Sequence, residues 1–241
     1  MYQQQRFSQI GEMLSMIAHQ WRLPLSHIGT TTLVAQMKIE LGKFDFTNKE
    51  GLQECKEFTL EKLKNITNYV TNMSETIDEF SDFYKHENIT CVVPLVDVIQ
   101  KSIQMLLPLI HSEAIFIKTS FNTDARVSVN RNEISQVIIN IIKNSIDNFK
   151  RKEIQNRIIE IELLEMDELL KVIIKDNGGG IEKDHINKIF DPYFSQKYEK
   201  NGKGLGLYMS KVIVENYHKG ELHISNSFEG IICELVLRRV V

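Results

Sequence analysis

The 241-residue sequence is poor in cysteine and proline, has no long apolar run and carries no strong charge of either sign. Three widely separated cysteines, an odd number without metal-ligand spacing, are predicted to be reduced thiols and argue against a metal or redox site. No apolar segment reaches the ~18 residues that a membrane span needs, and the first residues are not a signal peptide. A net charge of -3 provides no basic surface for nucleic acid. We therefore expect a cytoplasmic protein, or the cytosolic portion of a larger membrane-bound one, without a nucleic-acid partner.

The first third of the chain is suited to long helices, because residues 7–87 contain a single proline, Pro24, and few glycines. Apolar residues recur at heptad spacing in two segments, which turn-forming residues at 41–48 separate. This pattern predicts a helical hairpin as the first domain, over residues 1–88. The apolar seam consists of Ile10, Leu14, Ile17, Trp21, Pro24 and Ile28 in one helix and of Leu63, Ile66, Val70, Met73, Ile77, Phe80 and Tyr84 in the other.

A hairpin of two helices leaves such a seam half exposed. Keeping apolar area in water costs ~25 cal/mol per Å² relative to burial. A second copy of the chain could cover the seam, which predicts a homodimer formed through a four-helix bundle. Packing of the hairpin on the chain's own second domain is the alternative.

The pattern changes over residues 89–241, where helical and strand signals alternate. Helices are predicted at 97–110, 131–150 and 204–218. Strands are predicted at 115–117, 158–163 and 170–174, with a closing hairpin of 221–225 and 231–238. These elements predict an α/β sandwich of one mixed sheet and three helices as the second domain, so the whole chain combines an α domain with an α/β domain.

His19 is the first candidate catalytic residue. It lies two positions from each of the seam residues Ile17 and Trp21, which places it opposite the seam, toward solvent. A neutral imidazole has a free lone pair and can act as a nucleophile. Pro24 removes the donor for the Gln20 carbonyl, which predicts a bend beside His19. The helix alone leaves a nucleophile and a plain surface histidine equally open. The other histidines are predicted to be surface residues: His27, His86, His111, His185, His218 and His223.

Two downstream segments have the chemistry of a nucleotide site. Asn140 and Asn144 share one helix face, and amide oxygens suit Mg²⁺. Asp176 ends an apolar strand, where a carboxylate can accept a hydrogen bond from an exocyclic amine. Gly178 and Gly180 follow it and permit the backbone to approach a flat base.

A third segment has the chemistry of a phosphate site. Gly202, Gly204 and Gly206 open a predicted helix, whose free N–H groups favour phosphate. The preceding residues 190–201 suit a lid, from which Lys197 could reach a phosphate. The adjoining residues Ile181 and Leu205 complete the predicted nucleotide site.

In this order the segments resemble the catalytic core of a two-component sensor histidine kinase, over residues 8–239. Each motif alone is weak, and the five together are specific. His19 with Pro24 is similar to the phosphoacceptor box, Asn140 and Asn144 to the asparagine box, Asp176, Gly178 and Gly180 to the first glycine box, Phe190 to Phe194 to the phenylalanine box, and Gly202, Gly204 and Gly206 to the second glycine box.

The resemblance implies a dimerisation and phosphotransfer hairpin followed by a Bergerat-type ATP-binding domain of the GHKL superfamily. It implies a protein-histidine kinase that transfers phosphate from ATP to His19, and from there to an aspartate of a response regulator. It further implies that Asn144 holds Mg²⁺, that Asn140 lies near the phosphates and that Asp176 reads adenine.

Three residues depart from the family pattern. Gln20 stands where many members have an acid after the histidine; an amide cannot take a proton but can orient the ring. Leu23 stands where members that dephosphorylate their regulator often have Thr or Asn, so phosphatase activity is not expected. Asp147 replaces a basic residue of some kinases, and no phosphate contact is assigned to it.

Two other functions are alternatives. GHKL-type ATPases have a glutamate one turn before the Mg²⁺-binding asparagine to activate water, whereas this chain has Asn140, which cannot act as a general base. A degenerate kinase that serves only as a dimeric interaction module is disfavoured by Asp176 and by both asparagines.

Overall fold

The computed structural model describes residues 2–84, 89–194 and 204–240, with the backbone alone for 2–17, 19, 20, 72 and 75–84. The chain divides into two compact units, residues 1–84 and 85–241. The predicted domain boundary after residue 88 adjoins residues 85–88, which lie outside the described part.

The first unit is the predicted helical hairpin, with α1 (Tyr2–Glu40) followed by α2 (Lys49–Tyr84). α1 runs through Pro24. Gly42, at φ 64°, follows the end of α1, a left-handed conformation that favours glycine. Asn48 caps α2 by accepting a 2.7 Å hydrogen bond from the Gly51 backbone. The two helix ends are therefore stopped by local turn chemistry.

The hairpin buries only part of the predicted seam. Trp21, Pro24 and Ile28 of α1 are half-buried, as predicted. On α2, however, Leu63 and Val70 are each 53% exposed. The predicted seam residues Ile66 and Met73 are half-buried, and so are the following α2 residues outside the seam: Cys55, Phe58, Thr59, Lys62, Asn65, Asn68 and Tyr69. Two large apolar side chains of the seam thus stay uncovered within one chain.

The second unit packs helices on a mixed sheet. The described part of this unit has seven strands in the order β1-β3-β7-β5-β4-β2, with β6 also paired to β7. β2 is parallel to β4, and the other pairs are antiparallel. The elements are β1 (Cys91–Pro94), α3 (Leu95–Ser112), β2 (Ile115–Phe121), β3 (Arg126–Val129), α4 (Arg131–Arg151), β4 (Arg157–Met166), β5 (Leu169–Asp176), α5 (Gly206–Lys211), a π-helical turn (Val212–Tyr217), β6 (Glu221–Asn226) and β7 (Ile231–Val240).

The α/β sandwich is confirmed, with two differences. β1 and β3 were not predicted, because four residues are too short for a period-two pattern to stand out. The helix predicted at 204–218 begins at Gly206 and changes to π-helical geometry at Val212. Such a change depends on packing rather than on the apolar spacing that predicted the helix.

α4 separates the core from the polar side of this unit. Its apolar face is fully buried and includes Ile134, Ile138, Ile141 and Ile142. The opposite face presents half-buried Asn140, Asn144 and Asn148 at intervals of four residues. Asn148 donates a 2.8 Å hydrogen bond to the Gly178 carbonyl, so this polar face adjoins the loop that follows β5.

His218 lies in the interior rather than on the surface, so its prediction was wrong. Its side chain is 5% exposed, and Nε2 lies 2.8 Å from Oε2 of Glu133 in the first turn of α4. The partners are 85 residues apart, so no local pattern reveals the pair. His27, His111 and His223 are exposed as predicted, His185 is half-buried, and His86 lies outside the described residues.

We expect His218→Phe to lower the free energy of unfolding by about 3 kcal/mol, because a buried carboxylate loses a partner. Urea denaturation would measure the change. His223→Phe is the matched control, since His223 pairs with Glu221 at 3.1 Å with a side chain 59% exposed, and an exposed pair contributes about 0.5 kcal/mol. Equal losses in the two variants would contradict a stabilising role for the buried pair.

Candidate functional site

Asp176 forms the buried end of the site. It is the last residue of β5 and is 6% exposed. Its Oδ2 accepts a 2.7 Å hydrogen bond from the Ser145 hydroxyl. Its Oδ1 accepts from the backbone N–H groups of Gly178 at 2.8 Å and Ile231 at 3.4 Å. Three donors fix the carboxylate, and Oδ2 keeps a second lone pair for a ligand donor.

The loop from Gly178 to Ile181 follows Asp176 and needs its glycines for different reasons. A Cβ at Gly178 would lie 2.6 Å from Nδ2 of Asn148, so space requires glycine there. Gly179 and Gly180 have φ values of 77° and 70°, which favour glycine. The prediction had explained Gly178 by approach to a base; packing within the protein is the reason that the structure provides.

Side chains from two other elements hold this loop. Asn148 and Lys152, at the end of α4, bond to loop carbonyls. Asn226, at the end of β6, bonds to both the N–H and the carbonyl of Ile181. Sequence reasoning assigned no role to Lys152 or Asn226. For Lys152 the signal was its spacing of four from Asn148 and eight from Asn144.

Asn140 connects α4 to α5. Its Nδ2 donates a 2.9 Å hydrogen bond to the Ser210 hydroxyl. A Cβ at Gly206 would lie within 3.0 Å of the Asn140 amide, so a larger residue at the start of α5 would displace this side chain. Leu205, just before α5, is 2% exposed. Asn140, Leu205 and Gly206 are therefore brought together, with Asn144 one turn further along α4.

Residues 193 and 204 join the two sides of the predicted lid. The Tyr193 N–H donates a 2.8 Å hydrogen bond to the Gly204 carbonyl. Both residues have φ 67°, which suits Gly204 and is uncommon for a tyrosine. Burial raises the pKa of Tyr193. Lys197 and Gly202 lie outside the described residues.

His19 and Gln20 lie within α1, in the first unit. The description of these two residues covers their backbone alone. The predicted orientation of His19 toward solvent stays a prediction.

The predicted Mg²⁺ site depends on amide chemistry. Within the described ranges, no three His, Cys, Asp or Glu side chains are grouped so as to hold a metal. An amide oxygen such as that of Asn144 suits Mg²⁺, which completes its coordination with water and substrate phosphates. No helix in the described part of the chain is both long enough and apolar enough for a membrane span.

Comparison with known proteins finds a family match within the second unit. Residues 129–239 match the model described as histidine kinase-, DNA gyrase B-, and HSP90-like ATPase. Sporulation kinase A of Bacillus subtilis is 33% identical over 46% of this chain and 18% of that protein. The signal transduction histidine-protein kinase AtoS of Escherichia coli is 25% identical over 94% of this chain and 34% of that protein. The chain thus spans less than half the length of these relatives.

Solved structures have the same fold. The catalytic domain of histidine kinase ThkA is 25% identical, with a TM-score of 0.56 over 63% of this chain and 98% of that one. ThkA in complex with the response regulator protein TrrA is 23% identical, with a TM-score of 0.63 over 98% of this chain and 64% of that one.

Over residues 129–239 the second unit matches the histidine kinase-, DNA gyrase B-, and HSP90-like ATPase family and has the fold of a histidine kinase catalytic domain. The chain as a whole is similar to the catalytic part of sensor histidine kinases.

Proposed function

We propose that this chain transfers the γ-phosphate of ATP to His19 and then passes it to an aspartate of a response regulator. The observation that carries the proposal is the buried Asp176 carboxylate, fixed by three donors at the start of a glycine loop that α4 also holds. The remaining lone pair of Oδ2 accepts from the adenine amino group. Asn144, on the polar face of α4, is assigned to the phosphate end of the nucleotide.

Each predicted site residue has a role in this proposal. The His19 imidazole attacks the γ-phosphorus, the bond to the β,γ-bridging oxygen breaks, and ADP leaves. Gln20 orients the ring by accepting from its N–H. Asn144 would hold Mg²⁺, which neutralises charge on the phosphate oxygens. The remaining nucleotide contacts are assigned to Asn140, Lys197 and the backbone of Gly178, Gly180, Ile181, Gly202, Gly204, Leu205 and Gly206.

Phosphotransfer is favoured over ATP hydrolysis by Asn140. Hydrolysis requires a general base near the γ-phosphate, and a carboxamide has no basic site. Its Nδ2 is also engaged with Ser210.

Labelling tests the proposed reaction. The wild-type chain should take up label from γ-labelled ATP, and chelation of Mg²⁺ should prevent this uptake. The label should be lost in acid and kept in base, as expected for phosphohistidine. A receiver domain added afterwards should remove the label from the chain and gain it. Release of inorganic phosphate without labelling of the chain would favour the ATPase alternative.

We further propose that the response regulator docks on this chain through its receiver domain. The complex of the similar kinase ThkA with TrrA supports this partner. Adding different receiver domains to the labelled chain would identify the cognate regulator, because the correct receiver removes the label faster than an unrelated one.

A homodimer formed through the hairpin is the third part of the proposal. Exposed Leu63 and Val70 on α2 support it, since a second hairpin would bury both. A dimer also provides a second His19 and a second ATP domain, so transfer within one chain and transfer between chains are both open to each His19.

We expect the double variant Leu63→Lys, Val70→Lys to sediment as a monomer, because two ammonium groups cannot be buried in an apolar seam. The fold of one chain should persist, since both side chains are already 53% exposed. Leu60→Lys is the control: Leu60 is 55% exposed and lies off the heptad seam, so this variant should remain dimeric. A dimer of undiminished stability in the double variant would contradict this interface.

A further inference from the structure

The loop from Gly178 to Ile181 has all four of its carbonyls bonded to side chains. The Gly178 carbonyl accepts from Asn148 at 2.8 Å. The carbonyls of Gly179 and Gly180 both accept from the Lys152 ammonium, at 2.8 and 2.7 Å. The Ile181 carbonyl accepts from Asn226 at 2.7 Å. The loop is therefore held by side-chain hydrogen bonds rather than by the backbone pairing of a strand or helix.

Such support has a physical reason. Gly179 and Gly180 are consecutive glycines with positive φ. Glycine loses more conformational entropy on folding than any other residue, so holding both in one conformation is costly. Backbone pairing provides little, since the described loop has one bond of this type, from the Gly179 N–H to the Glu229 carbonyl at 2.7 Å. Lys152 alone restrains both of these glycines.

Lys152 also couples the loop to α4. It is the C-cap residue of α4, where the helix dipole favours a cation. It follows Asn144 and Asn148 at intervals of four, so all three lie along one ridge of the helix. Its Nζ lies 3.3 Å from where a Cβ of Gly179 would be. Lys152 is an exposed residue, and partial burial of its ammonium against the loop lowers its pKa.

We propose that Lys152 is a positioning residue for nucleotide, which sets affinity by holding Gly179 and Gly180 in the shape that receives adenine. The proposal rests on the proposed ATP site. Because Lys152 acts at the adenine end, its loss weakens binding and leaves the phosphoryl-transfer rate at saturating ATP unchanged. Asn226 supports the same loop from β6 and has the same kind of effect.

The experiment compares Lys152→Met, Lys152→Arg and Lys183→Met in the full chain. We expect Lys152→Met to raise the Kd for ADP, measured by calorimetry, and the KM for ATP about tenfold, because two charge-assisted hydrogen bonds are lost. Its kcat and melting temperature should stay near those of the wild type. Arginine can donate to both carbonyls, so Lys152→Arg should recover most of the affinity. Lys183, an exposed lysine beyond the loop, is the control, and Lys183→Met should bind like the wild type.

The outcomes separate this proposal from the one on which it rests. If Asp176→Asn loses ADP binding while Lys152→Met binds like the wild type, the ATP site stands and the role of Lys152 is overturned. If Lys152→Met lowers kcat as much as it raises KM, the positioning role is likewise overturned. If the wild-type chain binds no ADP, the proposed function fails and this inference fails with it.

Discussion

His19→Gln should leave the chain unlabelled by γ-labelled ATP, under conditions in which the wild-type chain takes up phosphate. The reason is chemical: a carboxamide nitrogen has no free lone pair to attack phosphorus, whereas a neutral imidazole has one. Nucleotide binding should be unchanged, because the ATP-binding unit is a separate compact unit of the chain. The measurements are incorporated label and the Kd for ADP.

His27→Gln provides the matched control for this loss. His27 is exposed on the same helix and stacks on Tyr69, with ring centroids 5.4 Å apart. It should be labelled like the wild type, which rules out a general effect of removing a histidine from α1. Labelling of His19→Gln at the wild-type level would refute the assignment of the phosphate acceptor.

Asp176→Asn should weaken the binding of ATP and ADP about 100-fold, the equivalent of about 2.7 kcal/mol. Two backbone N–H groups donate to Oδ1, so the new side chain keeps its amide oxygen there. Its NH₂ group then takes the place of Oδ2, facing the Ser145 hydroxyl and the adenine amine. The Ser145 hydroxyl can rotate and accept a hydrogen bond from this NH₂ group. The adenine amino group can only donate, so it would face another donor and lose its hydrogen bond.

The same geometry predicts that the fold survives. Asparagine has the shape of aspartate and keeps both backbone hydrogen bonds, so the unfolding free energy should fall by about 1 kcal/mol or less. Asp184→Asn is the control, since Asp184 is exposed in the segment beyond the loop and should bind nucleotide normally. An unchanged ATP affinity in Asp176→Asn would show that this carboxylate does not read adenine.

Features that depend on one element were predictable from the sequence. The hairpin followed from heptad spacing, and the two faces of α4 followed from isoleucines on one side and Asn140 and Asn144 on the other. Asp176 was recognisable because a carboxylate ends an apolar strand and glycines follow. In each case the signal lies within one helix or one strand and its turn.

Features that depend on two elements were missed. Ser145 reaches Asp176 across 31 residues, Lys152 reaches the glycine loop across 27 and 28, and Asn226 reaches Ile181 across 45. His218 was assigned to the surface because its partner Glu133 is 85 residues away. Leu63 and Val70 fitted the seam by spacing, but the packing of α1 on α2 leaves them exposed within one chain.

The sequence by itself determined the two long helices of the hairpin, the longer strands and the apolar face of α4, because side-chain periodicity is a local property of the backbone. It also predicted which residues have the chemistry of a histidine kinase core. Only the tertiary structure decided which polar groups meet: the three donors on Asp176, the Lys152 ammonium on two loop carbonyls, and the buried pair of His218 and Glu133. Those contacts arise from the packing of elements that are distant in the chain, and spacing within one element carries no information about them.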